Sequence, residues 1–476
     1  MKTYSLINHL DIDINRAVCD MAAYFGYASD EAANAKLVFT KKLAVISVEL
    51  LMGDQLQICY EEKFDEARGE TSGEINRCVK ILTLKLFEKL TGEKPELPWG
   101  ILTGVRPTKL VHKLMDEGAT EPVKLLQDKY LLNFENANLL CNIATLQKSL
   151  VNDEARFTEA GIYIGIPFCP SRCSYCSFPS GIIPKDEESQ QNFLNLIELD
   201  IQNVVQLLGM RGIRTTSLYI GGGTPTSLSD KPFARLMDMC SQYLHLPSIK
   251  EFTVEAGRPD CFSVSKLHAM ENAGVNRISV NPQTFHDATL KTIGRAHTVN
   301  EFYKAYELVR NSSIPVINMD LIIGLPEESE SDIEFSLAEA KRLAPENLTI
   351  HTLTLKKSAP LFGSKHSLDS DTASRMVDRG LAVAKELGMV PYYLYRQHYM
   401  LGHLANIGYA MPGTESIYNI QMMEERHPII GVGPSSASKR PLADGHHLNK
   451  LNMPKNVQTY KENLTALFAK RAELFE

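Results

Sequence analysis

The stretch Gly161-Ile162-Tyr163-Ile164-Gly165-Ile166-Pro167-Phe168-Cys169-Pro170-Ser171-Arg172-Cys173-Ser174-Tyr175-Cys176 decides the fold. Gly161 to Ile166 reads as a short strand that ends at Pro167-Phe168 and opens directly into three cysteines spaced C-x3-C-x2-C. The chain holds nine cysteines in 476 residues, and random placement would produce that spacing with a probability of about 0.003. The other six, Cys19, Cys59, Cys78, Cys141, Cys240 and Cys261, stand alone and read as reduced thiols serving as small core residues.

Downstream of this stretch, short β-branched runs alternate with longer helical patterns, the signature of consecutive βαβ units. Six strands are expected at Gly161–Ile166, Ser217–Ile220, Phe252–Glu255, Arg277–Val280, Asn318–Ile323 and Leu348–Leu353. Helices are expected between them at Ser189–Leu208, Lys231–Tyr243, Val264–Ala273, Asn300–Asn311 and Ser331–Leu343. The fold class is therefore α/β, a partial (β/α)6 barrel over residues 156–365 whose functional groups sit at the C-terminal strand ends. Residues 1–155 read as an N-terminal α+β accessory domain, with a hairpin around Met52-Gly53-Asp54 and an amphipathic helix over Glu74–Leu90 closed by Gly92. Arg106 and Lys109 stand at the start of a further helix, either solvated or gripping an anion. Residues 366–476 read as a mixed, mainly helical substrate-side region, with a strand at Tyr392–Tyr395 and a Gly/Pro-rich stretch at Gly431–Ser436.

A hydrophobic fraction of 44% and a charged fraction of 22% exclude fibrous and disordered classes. Fifty Lys and Arg against 57 Asp and Glu leave a net charge of −7, which argues against a protein that coats nucleic acid. No segment is apolar for long enough to span a membrane, so a cytoplasmic location is expected.

Three thiolates within eight residues, in a reducing compartment, call for a metal centre. A structural zinc site uses four protein ligands, and no second Cys/His pair of suitable spacing is present. A [4Fe–4S] cluster held by three cysteines leaves one iron open to a small molecule. An iron that chelates the amino and carboxylate groups of a ligand while passing it an electron is what reductive cleavage of S-adenosylmethionine (SAM) requires. One strand later comes Gly221-Gly222-Gly223-Thr224-Pro225-Thr226, where the backbone is bare enough to approach a ligand closely.

These two motifs resemble those of the radical SAM superfamily. Tyr163–Cys169, Glu255-Ala256, Asn276–Ser279, Gln283–Phe285, Gly294-Arg295 and Asp320–Pro326 narrow the likeness to the oxygen-independent coproporphyrinogen III oxidase family, in collinear order. The extra N-terminal unit, Tyr409–Gly413 and Ile417–Ile420 resemble its bacterial coproporphyrinogen dehydrogenase branch.

The resemblance implies that Cys169, Cys173 and Cys176 hold a [4Fe–4S] cluster. It places Tyr163, Tyr175, Gly222, Gly223, Thr224, Glu255, Gln283, Arg295, Asp320 and, more remotely, Thr354 at the SAM site. It further implies oxidative decarboxylation of the propionates of coproporphyrinogen III by a 5′-deoxyadenosyl radical. An electron donor such as flavodoxin or ferredoxin and an external electron acceptor would be needed. Lys356, Lys357 and Arg396 are candidate cations for the substrate carboxylates.

The chain departs from the family pattern in two places. Phe178 stands where the best-known members have a fourth cysteine, and Gly165 where they have a histidine. Phe178 is shared with related haem chaperones, the rival class. Those carry a His-Asn-x-x-Tyr-Trp motif, and the corresponding stretch here is Tyr418-Asn419-Ile420-Gln421-Met422-Met423.

Overall fold

A computed structural model describes residues 2–64, 71–150, 153–244, 248–354, 358–362, 370–396 and 404–476. Their contacts fall into two units, one of residues 1–104 and 119–139 and one of 105–118 and 140–476. The segment expected as a domain of its own, 1–155, thus gives 105–118 and 140–155 to the larger unit, and 366–476 does not separate from it.

In the smaller unit, the strands Lys2–Asn8, Tyr27–Ser29, Ala35–Lys42, Val45–Met52 and Gln55–Lys63 form one sheet. The expected hairpin is its last pair, turning at Gly53 with φ +62°. Leu37, Phe39, Ile46, Val48 and Leu50 bury one face. Against it lies the helix Ser72–Thr91, which places Ile75, Val79, Leu82 and Leu86 inward at helical spacing. The Thr71 hydroxyl accepts the Glu74 N–H at its start, and Gly92 ends it at φ +75°.

The larger unit is built on an open eleven-stranded sheet. Its strands are β1 (Glu159–Ile166), β2 (Arg214–Gly222), β3 (Glu251–Glu255), β4 (Arg277–Ser279), β5 (Val316–Ile323), β6 (Asn347–Thr352), β7 (Val390–Tyr395), β8 (Asn406–Ala410), β9 (Ile429–Val432), β10 (Ala437–Pro441) and β11 (Leu448–Asn452). The order is β7-β8-β6-β5-β4-β3-β2-β1-β9-β10-β11, with β1 to β6 parallel neighbours in chain sequence. All six expected strands and the five helices between them are present.

The parallel register sets Ile164, Ile220, Val254, Ile278 and Ile317 side by side. Each of the five is at most 1% exposed, and burying such a side chain stabilises by roughly 1.5–3 kcal/mol. Near-continuous apolar runs rich in β-branched residues are what strands buried on both faces require.

The C-terminal region, expected as mainly helical, supplies three helices and five strands among the described residues. Its β9 extends the parallel run beyond β1, pairing Ile430 with Ile162 and Val432 with Ile164. Where the chain leaves β9, its backbone closes on Gly165 and leaves no room for a side chain at that position. A Cβ on Gly165 would stand 2.8 Å from the Pro434 carbonyl oxygen, which is why this position carries no histidine.

Arg106 and Lys109 at the start of the helix Thr108–Asp116 do hold an anion, the chain's own Glu425, which Lys439 also contacts at 2.8 Å. Burial pushes the Glu425 carboxyl upward, but Lys439, Arg106 and Lys109 outweigh it and hold the group at about 2.

Candidate metal-cluster site

The cysteine loop leaves β1 at the C-terminal edge of the sheet and is pinned from three sides. From the β3 exit, Arg258 donates to the Ser171 hydroxyl at 3.0 Å. From the segment after β4, the Ile293 carbonyl accepts the Ser174 N–H at 2.9 Å. From beyond β6, the Ser358 carbonyl accepts the Arg172 guanidinium at 2.6 Å, and the Leu361 N–H donates to Ser174 at 2.9 Å. All three thiols line one cavity of about 160 Å³, with Cys173 buried and Cys169 and Cys176 half-buried.

Burial pushes the Cys176 thiol up, and the neighbouring Cys173 and Cys169 add to the shift, against the Phe178 N–H that donates to its sulfur. Three thiols converging on one cavity ionise together when metal cations sit among them, so the donor set fits an iron–sulfur cluster.

Of the other residues expected at the site, Tyr175, Gly223, Thr224, Glu255, Gln283 and Arg295 line the same cavity. Gly223 must be a glycine: a Cβ there would lie 2.3 Å from the Phe168 carbonyl oxygen and 3.0 Å from Cys169 Sγ. Glu255, the last residue of β3, accepts the Tyr219 hydroxyl at 2.6 Å and the Gly222 N–H at 3.1 Å. Burial lifts its carboxyl to about 7, those two hydrogen bonds oppose the rise, and the Asp320 carboxylate adds to it.

Arg295 spends one nitrogen on the Gly257 and Asn281 carbonyls, at 2.6 Å each, while its Nε has no partner among the described residues. Gln283 is held at φ +68° by exchanging main-chain hydrogen bonds with Asp320 and Ile322, and its buried Oε1 has no partner among the described residues. Strained backbone and orphaned polar atoms at one cavity are features a polar ligand such as SAM would satisfy.

Three expected residues stand behind the cavity wall. Tyr163 stacks on Tyr219 and Tyr418, with ring centroids 6.1 and 5.9 Å away, and its hydroxyl is 3.3 Å from where a Gly222 Cβ would be. Gly222 itself, at φ +115°, presents its N–H to Glu255 and lies outside the lining. Asp320 accepts the Asn281 and Asn318 amides at 2.8 Å each and faces His351 Nε2 at 3.7 Å. It therefore reaches the cavity through Asn281. Burial works to raise the Asp320 carboxyl, but His351, Asn318 and Thr349 prevail and lower it.

Thr354 lines a second cavity, of about 430 Å³, which shares Tyr175, Cys176 and Gln283 with the first. Phe178, at the missing fourth cysteine, is part of this second wall. Arg396 is only 7% exposed and lies outside both linings, so it is neither a solvated cation nor a cavity residue. Lys356 and Lys357 fall outside the described residues.

Sequence reading did not single out Arg258 or Asn281, because they come from the loops after β3 and β4, where no repeated spacing marks a ligand set. Strand-end position after a recognised Glu255 was the one available signal.

Comparison with known proteins places this geometry. The radical SAM superfamily pattern matches residues 163–340. The oxygen-independent coproporphyrinogen-III oxidase-like protein HemZ of Bacillus subtilis (strain 168) is 40% identical over 406 residues, covering 84% of this chain and 80% of HemZ. The heme chaperone HemW of the same organism is 38% identical over 204 residues, 42% of this chain and about half (52%) of HemW. The solved coproporphyrinogen III oxidase HemN of Escherichia coli, a radical SAM enzyme, shares the fold with a TM-score of 0.53 at 18% identity, over 68% of this chain and 73% of HemN. The similarity to HemZ extends well beyond the cluster domain, and the chain therefore belongs to the radical SAM superfamily, within its oxygen-independent coproporphyrinogen III oxidase-like family, with a [4Fe–4S] cluster and SAM as cofactors.

Proposed function

We propose that this protein is an oxygen-independent oxidoreductase that decarboxylates two propionates of coproporphyrinogen III to give protoporphyrinogen IX. The observation that carries the reading is the second cavity, which meets the cluster cavity along Tyr175, Cys176 and Gln283 and so gives a second ligand a place against SAM. When bound, the cluster and SAM supply a 5′-deoxyadenosyl radical that removes a propionate β-hydrogen, after which loss of CO₂ and one electron leaves a vinyl group.

The chain's own share is orientation and exclusion of water. Glu255, fixed by Tyr219 and Gly222, offers its carboxylate to the SAM ammonium or ribose, and Arg295, with Nη2 taken by the Gly257 and Asn281 carbonyls, offers its charge and the Nε left unpaired among the described residues to the SAM carboxylate. Phe178, Ile322 and Leu353 give the second cavity an apolar wall that keeps solvent from a radical, while His351, Thr352 and Asn406 supply polar groups for carboxylates. A low-potential flavodoxin or ferredoxin would reduce the cluster, and a separate acceptor would take the electron released with CO₂.

The alternative reading is a haem-binding chaperone. Against it stands Tyr418, at the place of the chaperone histidine. It is 4% exposed and stacked on Tyr219 with ring centroids 4.3 Å apart, inside the sheet's interior and away from any haem that docked on the surface. Anaerobic turnover of the reconstituted protein with coproporphyrinogen III, SAM and a reductant, with tetrapyrroles resolved by mass, tests the proposal. The expected result is loss of two CO₂ per porphyrinogen with two 5′-deoxyadenosines formed. Stoichiometric haem binding with no CO₂ released would transfer the protein to the chaperone class.

A further inference from the structure

Among the described residues each of the three cysteine sulfurs receives a hydrogen-bond donor, Cys173 also having the Tyr175 hydroxyl beside it, and the donors are not alike. The Thr224 hydroxyl donates to Cys169 Sγ at 3.5 Å, and the Phe178 main-chain N–H donates to Cys176 Sγ at 3.4 Å. At Cys173 the donor is a guanidinium, Arg258 Nη1, at 3.5 Å. Cys169 and Cys176 thus accept from neutral dipoles, with the Arg172 charge reaching Cys176 only through space, while Cys173 accepts directly from a group of full positive charge. A guanidinium does not lose its proton in a protein, so that charge is permanent.

The orientation of this group is fixed by its other bonds. Asp260 takes Arg258 Nε and Nη2 in a two-point clasp at 2.9 Å each, while Nη2 also reaches the Ser171 hydroxyl. The carboxylate occupies one edge of the guanidinium and leaves Nη1 turned to the sulfur. The pair is neutral as a whole and polar in detail, with its positive end at Cys173. Side-chain exposure is 4% for Arg258 and 16% for Asp260, so solvent and salt screen the arrangement little.

We propose that Arg258 is a positioning residue that raises the reduction potential of the [4Fe–4S] cluster through Cys173, with Asp260 limiting the size of that effect. Reduction takes one electron from an external low-potential donor and adds one negative charge to the cluster and its thiolates, the oxidised state 2+ becoming 1+. A cation against a ligand sulfur favours the more negative state, and an N–H donated to a sulfur acts in the same direction. The opposing carboxylate partly cancels this field. The inference concerns the cluster alone and holds whichever reaction the radical performs.

The test is an anaerobic potentiometric titration of the reconstituted, SAM-free protein, following the reduced cluster by electron paramagnetic resonance and measuring iron in each sample. Arg258→Gln should lower the midpoint, so that the ratio of reduced to oxidised cluster at a set potential falls roughly tenfold, the scale of one poorly screened charge near the cluster. Asp260→Asn should move the ratio the other way by a comparable factor, and Arg258→Lys should lie between native and Gln. A group that merely braces the loop through Ser171 would reduce iron content without moving the midpoint of the clusters that form. Unchanged midpoints in both Arg258→Gln and Asp260→Asn, or shifts of the same sign, would overturn the proposal. If Arg258→Gln does not retain iron, the Asp260→Asn midpoint decides alone: an upward shift supports it and any other result refutes it.

Discussion

At the scale of single residues, Glu255 links burial to cofactor binding through its proton. Burial lifts this carboxyl to about 7 from an ordinary value of 4.5, with Tyr219 and Gly222 opposing and Asp320 assisting. Relative to the unfolded chain, the raised value means that the group's contribution to stability is full below pH 4.5 and is lost as pH rises through 7. A SAM ammonium beside the carboxylate favours the ionised form, so binding expels a proton wherever Glu255 is still protonated. SAM affinity should therefore rise about tenfold between pH 6 and pH 8, the factor by which the ionised fraction grows across a midpoint near 7. Equilibrium dialysis of the cluster-loaded protein at both values measures it, and Glu255→Gln should bind weakly with a flat profile; a slope that survives in the variant would assign the proton elsewhere. Glu255 was legible in the sequence because it ends a strand two positions along from the cysteine strand, and the cysteines were legible because their spacing is local. Arg258 and Asn281 were not, since what makes them part of the site is proximity across three loops, which no period in the chain encodes.

At the scale of elements, the six parallel strands could be read directly, because strands buried on both faces show as short, largely apolar runs rich in β-branched residues. The seventh, β9, could not. It is four residues long, bounded by Pro428 and Gly433-Pro434, and reads as a turn-rich stretch until its partner β1 is beside it. Its position depends on a buried ion pair that also spans most of the unit's length. Asp200, in the helix Glu187–Arg211, accepts Arg471 Nη1 at 2.6 Å, the Tyr460 hydroxyl, and the Gly433 N–H at 2.9 Å. Arg471, in the final helix Val457–Leu474, also donates Nη2 to the Gly431 carbonyl at 2.9 Å. Both charged side chains are fully buried, so removing one strands the other. Arg471→Ala should cost about 3–5 kcal/mol in chemical unfolding of the larger unit, and the double replacement Asp200→Leu with Arg471→Met should recover most of the loss. A single variant as stable as the parent would show that water reaches the pair.

At the scale of the whole molecule, substrate recognition was the least legible property, because on the decarboxylase reading net charge and ligand charge point against each other. The chain carries −7, and coproporphyrinogen carries four propionates. The described lining of the second cavity contains no Lys or Arg; its polar side chains include His351, Gln283, Thr352, Thr354 and Asn406. Of the three cations expected from the sequence, Arg396 is buried away from that cavity. Carboxylates entering here are then met by short-range hydrogen bonds, while the long-range field of the chain repels them. Raising ionic strength from about 0.01 M to about 0.15 M shortens the screening length from about 30 Å to about 8 Å, which removes the repulsion and leaves hydrogen bonds at contact distance nearly untouched. On the decarboxylase reading, kcat/KM for coproporphyrinogen III should rise across that range, with the change in KM and not in kcat, while SAM cleavage without porphyrinogen stays constant. A steep fall in kcat/KM instead would mean that a cationic cluster dominates the approach, with Lys356 and Lys357 as the first pair to replace, and the account of this cavity by short-range hydrogen bonds would have to be given up.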